Sequence, residues 1–391
     1  MKLYLIALSK QGDFIGANLK QALKQKSSQL EFYGIGGPKM GLKKVIPYEK
    51  LHDTIYSTEN EKKFLDKDFD VVQDILLQKP DVLITIGNWD FCKGLYEKLS
   101  HHKKLFKNLI KVHYVAPRIF YHNNKIAATM GKYIDFLISV YPQEVSCFST
   151  YRLPAVYVGH PILESSVESR RDFETRRKYG ISPDAKVLTA ILGSNEKDVK
   201  RMLPFFISAA KNTQEIRKDA VCVMLVSSNV YTYVDEMIKK SNSQILLLDE
   251  EKEMDSILSI TDAGVASSEG ATLKFSIAEV PHVVAYKEGF LSKVLLSKPR
   301  NFHFLNLTNE ILERKVIPVY LDDNFNENNI HKVMMKLIEK GELYQKQKEG
   351  FVELKDILAN GKKKSSENAG EAILNFVRSR ACVDGVNCIY I

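Results

Sequence analysis

The sequence predicts an α/β protein made of two doubly wound, Rossmann-like domains in tandem, followed by C-terminal helices. Three observations carry that prediction. The chain has 391 residues, too many for one ordinary core. Short aliphatic and β-branched runs alternate with amphipathic helical stretches from end to end. Most of the strand-like runs are continuously apolar rather than alternating, as strands are when helices cover both faces of a parallel sheet.

In the first half, strands are expected at residues 2–8, 30–35, 81–86, 109–115, 136–140 and 155–158. In the second half they are expected at 187–192, 220–226, 244–248, 262–266 and 282–286. Between the halves lies the polar, charged stretch "SSVESRRDFETRRKYGISPDAK", which places a boundary just after "VGHPILE". The domains are therefore 1–165, 166–365 and a C-terminal helix and tail, 366–391. Helices are expected at 327–340, 343–358 and 366–378, the last capped by Ser365 or Ser366. The run Lys362 to Lys364 reads as a solvated linker, and the tail "ACVDGVNCIYI" fits no helix pattern.

Composition narrows the function classes. With 45% hydrophobic and 27% charged residues the chain is globular, neither disordered nor a disulfide scaffold. Cys92, Cys147, Cys222, Cys382 and Cys388 form no C-x-x-C pair and have no histidine cluster, so no zinc site is expected and a reducing cytoplasm fits. The opening apolar run is six residues long, shorter than a signal-peptide core, and reads as the first strand. No uncharged apolar run is long enough to span a membrane. A net charge of +8 suits an anionic partner, such as a nucleotide or an anionic lipid surface. Its even spread along the chain speaks against nucleic acid.

Open α/β domains bind ligands beyond the carboxyl ends of their strands, so a cleft faced by two such domains is the expected site. In "TAILGSNEKDVKRML" a buried strand ends at the turn residue Gly193, Ser194 or Asn195 caps a helix, and several backbone N–H groups converge as a phosphate cradle. In "DAGVASSEGATLKFSIAEVPHVVAY" the small residues Ser267, Ser268, Gly270 and Ala271 leave room for a nucleotide at a second helix start. Two such openings in one sheet are how a sugar-nucleotide site would be built.

The first half offers looser candidates. "ALSKQGDFIGANLKQAL" runs from strand to helix through Gly12, with Asp13 on the helix; on these residues alone a plain connection is the better reading. "FYGIGGPKMG" is either a loop kept clear for a ligand or a turn closed by Pro38. "PDVLITIGNWDF" ends in Gly87, Asn88, Trp89 and Asp90, where Asp90 serves either as a general base toward a sugar hydroxyl or as a helix cap. The loop with Phe120, Tyr121 and His122 suits a lipid surface, a sugar ring or a half-buried turn. His160 either contacts a ligand or is a hinge residue satisfied by backbone. "KEGFLSKVLLSKPRNFHFLNLTNE" sets Phe290, Leu291, Val294 and Leu295 among basic residues, as a lipid-docking segment or as a core helix with a solvated face.

The order of these pieces is more specific than any one of them. "GDFIGA", "YGIGGPKM", "PDVLITI", "HYVAP", "VGHPI", "LGS" followed by "LPFF", "ATL", and "PHVVAYK" with "LNL" beyond resemble the lipid-A-disaccharide synthase family over residues 1 to 378. The resemblance implies a two-domain glycosyltransferase fold of the B type. It implies transfer of a diacylated glucosamine from UDP onto a diacylglucosamine 1-phosphate, with inversion, at the cytoplasmic face of the inner membrane. The first half would hold the acylated acceptor and the second the UDP-sugar donor. No cofactor and no metal are implied. Expected partners are UDP-diacylglucosamine, the acylated glucosamine phosphate and the anionic surface of that membrane, to which the protein would be peripheral; a homodimer is compatible. By the same likeness the donor side would include Thr272 of "ATL", Ser268, and Asn306 of "LNL".

Several family positions differ. The glutamate of G-E-x-S-G-D is Ser9 here, while Gly12 and Asp13 remain. The aspartate and proline of I-D-x-P are Gly87 and Trp89, the arginine of L-P-G-S-R is Asn195, and the glutamate closing S-G-T-x-x-L-E is Lys274. P-S-V-W-A-W has become "PRIFYH". Asp90 is the expected substitute for the lost acid and Lys274 for the lost arginine. Two other readings stand beside this one: a non-catalytic homologue that binds lipid or nucleotide, and a glycosyltransferase of altered donor or acceptor with Asp13 or Asp90 as base.

Overall fold

The computed structural model describes residues 1–42, 44–46, 71–102, 104–117, 124–164, 173–193, 196–267, 269–286, 306–321 and 326–383. The chain divides into two compact units, residues 1–164 with 358–391, and residues 165–357.

The first unit holds seven strands: β1 (Lys2–Ala7), β2 (Glu31–Gly36), β3 (Lys44–Val45), β4 (Val82–Ile86), β5 (Ile110–Tyr114), β6 (Phe136–Ser139) and β7 (Ala155–Tyr157). They lie in the order β3-β2-β1-β4-β5-β6-β7, every pair parallel. The apolar runs explain the pairing: Leu3, Leu5, Leu83 and Ile84 are all fully buried, so both faces of the central strands are covered. The cover comes from α1 (Lys10–Lys26), α2 (Val71–Gln78), α3 (Trp89–Ser100), α4 (Asn124–Tyr133) and α5 (Pro142–Ser149).

The second unit repeats the plan with α6 (Phe173–Lys178), β8 (Lys186–Ile191), α7 (Glu196–Ile216), β9 (Ala220–Val226), α8 (Ser228–Ser241), β10 (Ile245–Asp249), α9 (Glu250–Ile260), β11 (Ala263–Ala266), α10 (Glu269–Ile277), β12 (His282–Tyr286), α11 (Leu307–Ile311), β13 (Val319–Leu321) and α12 (Glu327–Ile338). Its six parallel strands run β10-β9-β8-β11-β12-β13. Along α7, Val199, Met202, Leu203, Phe206, Ile207 and Ala210 recur at helical spacing and face the core, while Pro204 stays on the exposed side. His282 of β12 lies between the rings of Phe275 and Phe351, with centroids at 5.2 and 5.8 Å. Gln347 of α13 (Glu342–Ala359) accepts from the main-chain N–H of His282 and donates to its carbonyl, at 2.8 and 2.9 Å.

The chain then returns to the first unit, and here the expected boundaries need correction. Residues 358–391 group with residues 1–164 instead of forming a separate tail. The last helix, α14 (Ser365–Val383), packs along α1, and Phe376 stacks on Phe136 of β6 with centroids 4.4 Å apart. Neither serine caps it through its own oxygen: Ser365 Oγ donates to the Gly159 carbonyl at 2.9 Å. The cap is Glu164, whose carboxylate accepts from the Ser366 N–H at 2.7 Å and the Ser366 hydroxyl at 2.8 Å. The helix also runs on through Ala381, Cys382 and Val383, into the stretch for which no helix was expected. Lys363 of the lysine run is exposed and pairs with Glu371 at 2.6 Å.

Glu164 joins segments 202 residues apart. Replacing Glu164 by Ala removes the cap of α14 and is expected to cost about 1–2 kcal/mol, read as a lower urea midpoint for the unfolding of the first unit.

Candidate functional site

In the second unit the strand order reverses between β8 and β11, which are direct neighbours. The turns into α7 and α10 therefore leave the sheet side by side. Ser267 ties them together: its N–H donates to the Ile191 carbonyl at 3.1 Å and its hydroxyl to the Leu192 carbonyl at 2.8 Å. Gly193, two residues past the end of β8, has φ +81°, a left-handed conformation that strains any residue with a side chain. Gly270 and Ala271 lie in the first turn of α10, where the main-chain N–H groups point out of the helix start. Ala271 and Thr272 bury their side chains. Ser194, Asn195 and Ser268 lie outside the described residues, as does the stretch from Lys287 up to Asn306 with its lipid-docking reading.

Lys274, the expected stand-in for an arginine clamp, places Nζ 3.2 Å from Oε1 of Glu250 in the first turn of α9. Asn306 is fully buried at the N-terminal cap of α11. Its Oδ1 accepts from the Asn309 N–H at 2.9 Å, while Nδ2 has no partner among the described residues. Asn309, which the sequence did not single out, is engaged through both ends of its amide. Its Oδ1 accepts from Val316 and Ile317 at 2.8 Å each, and its Nδ2 donates to the Ile317 carbonyl at 2.9 Å. The spacing N-x-x-N in "NLTN" was the available signal for the capping half of this pair. Ser276 and Thr308 share a hydrogen bond of 2.7 Å that holds α11 against α10.

In the first unit the reversal falls between β1 and β4. Ser9 follows β1, and its buried hydroxyl caps α1 by accepting from Gly12 N–H at 3.0 Å. Asp13 is fully buried one turn on. Its two oxygens accept from the Lys39 and Met40 N–H groups at 3.0 and 2.9 Å, fastening the Gly-rich loop after β2 to α1. This occupation explains the residue as a positioning group, and it leaves no solvent-facing oxygen for a substrate.

At the end of β4, Gly87 turns at φ +61° and Asn88 at φ +47°. Asn88, not Asp90, occupies the cap position of α3, which corrects the capping alternative for Asp90. Asp90 instead lies in the first helical turn and is exposed. Trp89 is buried, edge-on to His113 with centroids 5.3 Å apart. His113 Nδ1 and the hydroxyl of Thr85 are 2.7 Å apart, and Thr85 meets the hydroxyl of Tyr96 at 2.7 Å, a buried chain beneath α3. His160 follows its backbone-satisfied reading: Nδ1 accepts from the Ile162 N–H at 3.1 Å, which leaves Nε2 to donate to Tyr141 Oη at 3.1 Å. The loop with Phe120, Tyr121 and His122 lies outside the described residues.

Among the described residues no helix is long and apolar enough to cross a membrane. The sequence profile described as lipid-A-disaccharide synthetase matches residues 3–375. The chain belongs to the lipid-A-disaccharide synthetase family. Among its relatives is the lipid-A-disaccharide synthase of Rhodospirillum centenum, 29% identical over 392 aligned residues that cover 98% of this chain and 96% of the relative. That of Rickettsia prowazekii is 30% identical over 86% of this chain and 89% of its own. The solved UDP-GlcNAc 2-epimerase of Neisseria meningitidis, bound to UDP-GlcNAc, superposes with a TM-score of 0.62 at 11% identity, covering 97% of this chain and all (100%) of that one. The fold is that of two Rossmann-like domains, as in B-type glycosyltransferases.

Ser9 caps α1. Gly87 takes the left-handed turn, and Trp89 fills the space against His113 and Tyr96. Lys274 pairs with an acid from the neighbouring helix.

Burial holds His113 neutral, with its pKa lowered to about 3, and His282 likewise, at about 4, against an ordinary value of about 6.5. Between those values the unfolded chain binds protons that the folded chain does not. Stability is therefore full above about pH 6.5 and falls as the pH drops toward 4. Substituting His282→Gln is expected to flatten that fall by up to about 1.4 kcal/mol per pH unit, measured by urea unfolding at pH 7, 6 and 5.

Proposed function

We propose that this glycosyltransferase carries out the family reaction, moving a diacylated glucosamine from UDP onto diacylglucosamine 1-phosphate with inversion of the anomeric carbon. The acceptor binds the first unit and the UDP-sugar the second. The observation that carries the reading is the pair of turns after β8 and β11, adjacent in the sheet and tied by Ser267, each opening a helix N-terminus. In this reading main-chain donors at α7 and α10 hold the diphosphate without a metal ion, and Asn306 Nδ2 supplies a side-chain donor. The comparisons lend no support to a degenerate, non-catalytic homologue: the family profile spans the chain.

Chemically, an acceptor hydroxyl attacks the anomeric carbon, its proton passes to a carboxylate, and the bond to the diphosphate breaks with its electron pair leaving on UDP. Asp90, exposed in the first turn of α3, is the carboxylate available for that proton; Asp13 is engaged by backbone. Acylated substrates and a net charge of +8 support peripheral action at the cytoplasmic face of the inner membrane.

Purified protein is expected to form the disaccharide and release UDP in detergent micelles containing both substrates; absence of product under saturating conditions refutes the transfer reading. Substituting Asp90→Asn is expected to lower kcat by a factor of roughly a hundred to ten thousand. Asn306→Asp keeps the capping oxygen but removes the donor. It is expected to weaken UDP binding by roughly tenfold or more, as read by calorimetry.

A further inference from the structure

Two charged residues of α1 are spent on one short turn. The loop that leaves β2 at Gly36 is held from one side by Asp13, whose oxygens accept from the Lys39 and Met40 N–H groups. From the other side the Lys20 ammonium donates to the Met40 and Gly41 carbonyls at 2.7 and 3.1 Å. Met40 itself is buried, seated so closely on Gly16 and Gly36 that a Cβ there would stand 2.6 and 2.5 Å from its sulfur. A turn fixed in this way presents its outward side chain at a set position.

That side chain is Lys39. It is exposed, and among the described residues it pairs with no carboxylate; its Nζ lies 5.4 Å from the centre of the Phe14 ring. An aromatic face holds an ammonium without neutralising it, so donors on the far side stay open. The Asp13 carboxylate is buried beneath the turn and already met by two amides. The loop follows β2, next to the reversal between β1 and β4, which is where open α/β sheets admit ligands.

We infer that Lys39 binds the phosphate of the acceptor and makes the first unit selective for a phosphorylated sugar, an inference that rests on the transfer reading above. The acceptor's hydroxyl and acyl groups are neutral; its phosphate alone carries charge. Lysine brings a compact positive charge with three donors and no acceptor, which suits a phosphate ester. Phosphate esters also cover an anionic lipid surface, so the experiment separates the two sources.

Lys39→Met keeps an apolar stem over Phe14 and removes the charge, and Lys39→Arg restores a cation. Rates are measured in neutral-detergent micelles with two acceptors, diacylglucosamine 1-phosphate and the same sugar without its phosphate. In the wild-type protein, loss of the phosphate is expected to raise acceptor KM roughly ten- to a hundredfold. Lys39→Met is expected to raise KM for the phosphorylated acceptor by a similar factor and to leave KM for the other acceptor and for the UDP-sugar unchanged. Lys39→Arg is expected to recover most of the loss.

Equal changes toward both acceptors, or none toward either, overturn the inference. So does a Lys39→Met variant that keeps its acceptor KM but no longer binds phosphatidylglycerol vesicles free of acceptor, which assigns the lysine to the lipid surface. Calorimetry of both acceptors in micelles without donor separates this inference from the transfer reading. Phosphate-dependent binding that Lys39→Met abolishes, in a protein that forms no disaccharide, refutes transfer and upholds Lys39. Disaccharide formed equally well by Lys39→Met upholds transfer and refutes the role of Lys39. A protein that binds neither acceptor and forms no disaccharide refutes both.

Discussion

Parallel pairing is the constraint on which the rest depends. Every described strand pair, in both sheets, runs in the same sense. Parallel strands need helical crossovers, so all strand-to-helix turns of a sheet collect at one edge with their helix starts directed there. Polar residues at those turns then meet one of two fates. Ser9, Asp249 and Asn326 give their oxygens to helix caps. Among the described residues Asn306 finds a partner for only half of its amide, and Asn88 for none.

Much of this was legible in the sequence because burial on both faces leaves an unbroken apolar run. The strand Ala220–Val226 and the strand His282–Tyr286 agree with the sequence reading to the residue. The two-residue β3 and three-residue β13 lie at sheet edges and were missed, since so few residues carry no pattern. The return of α14 was illegible for a different reason. Its partners, Glu164 and Phe136, lie some 200 residues away, and local periodicity holds no record of such contacts.

The site was half legible. The small residues around Gly193 and Gly270 mark the turns by steric need, and the turns stand where expected. The acids were harder. An aspartate one turn into a helix suits a catalyst or a strut equally, and the sequence does not show that Asp13 accepts from the amides of Lys39 and Met40. At "GNWD" the sequence suggested Asp90 as the cap, whereas the backbone puts Asn88 at the cap position of α3. Sequence alone shows that Lys274 carries a charge, but not that it is engaged by Glu250 of the neighbouring helix.

The excursion of the chain through residues 165–357 before it rejoins the first unit has a bearing on synthesis. A ribosome that has delivered the seven strands of the first sheet has still not delivered the helix that packs along α1. The nascent first unit must wait, with that surface bare, while nearly two hundred further residues emerge and fold. Chain growth proceeds at about 5–20 residues per second, so the delay is on the order of ten to forty seconds. During that interval the protein is most open to capture by chaperones, and a ribosome stalled before Ser365 leaves the first unit permanently incomplete.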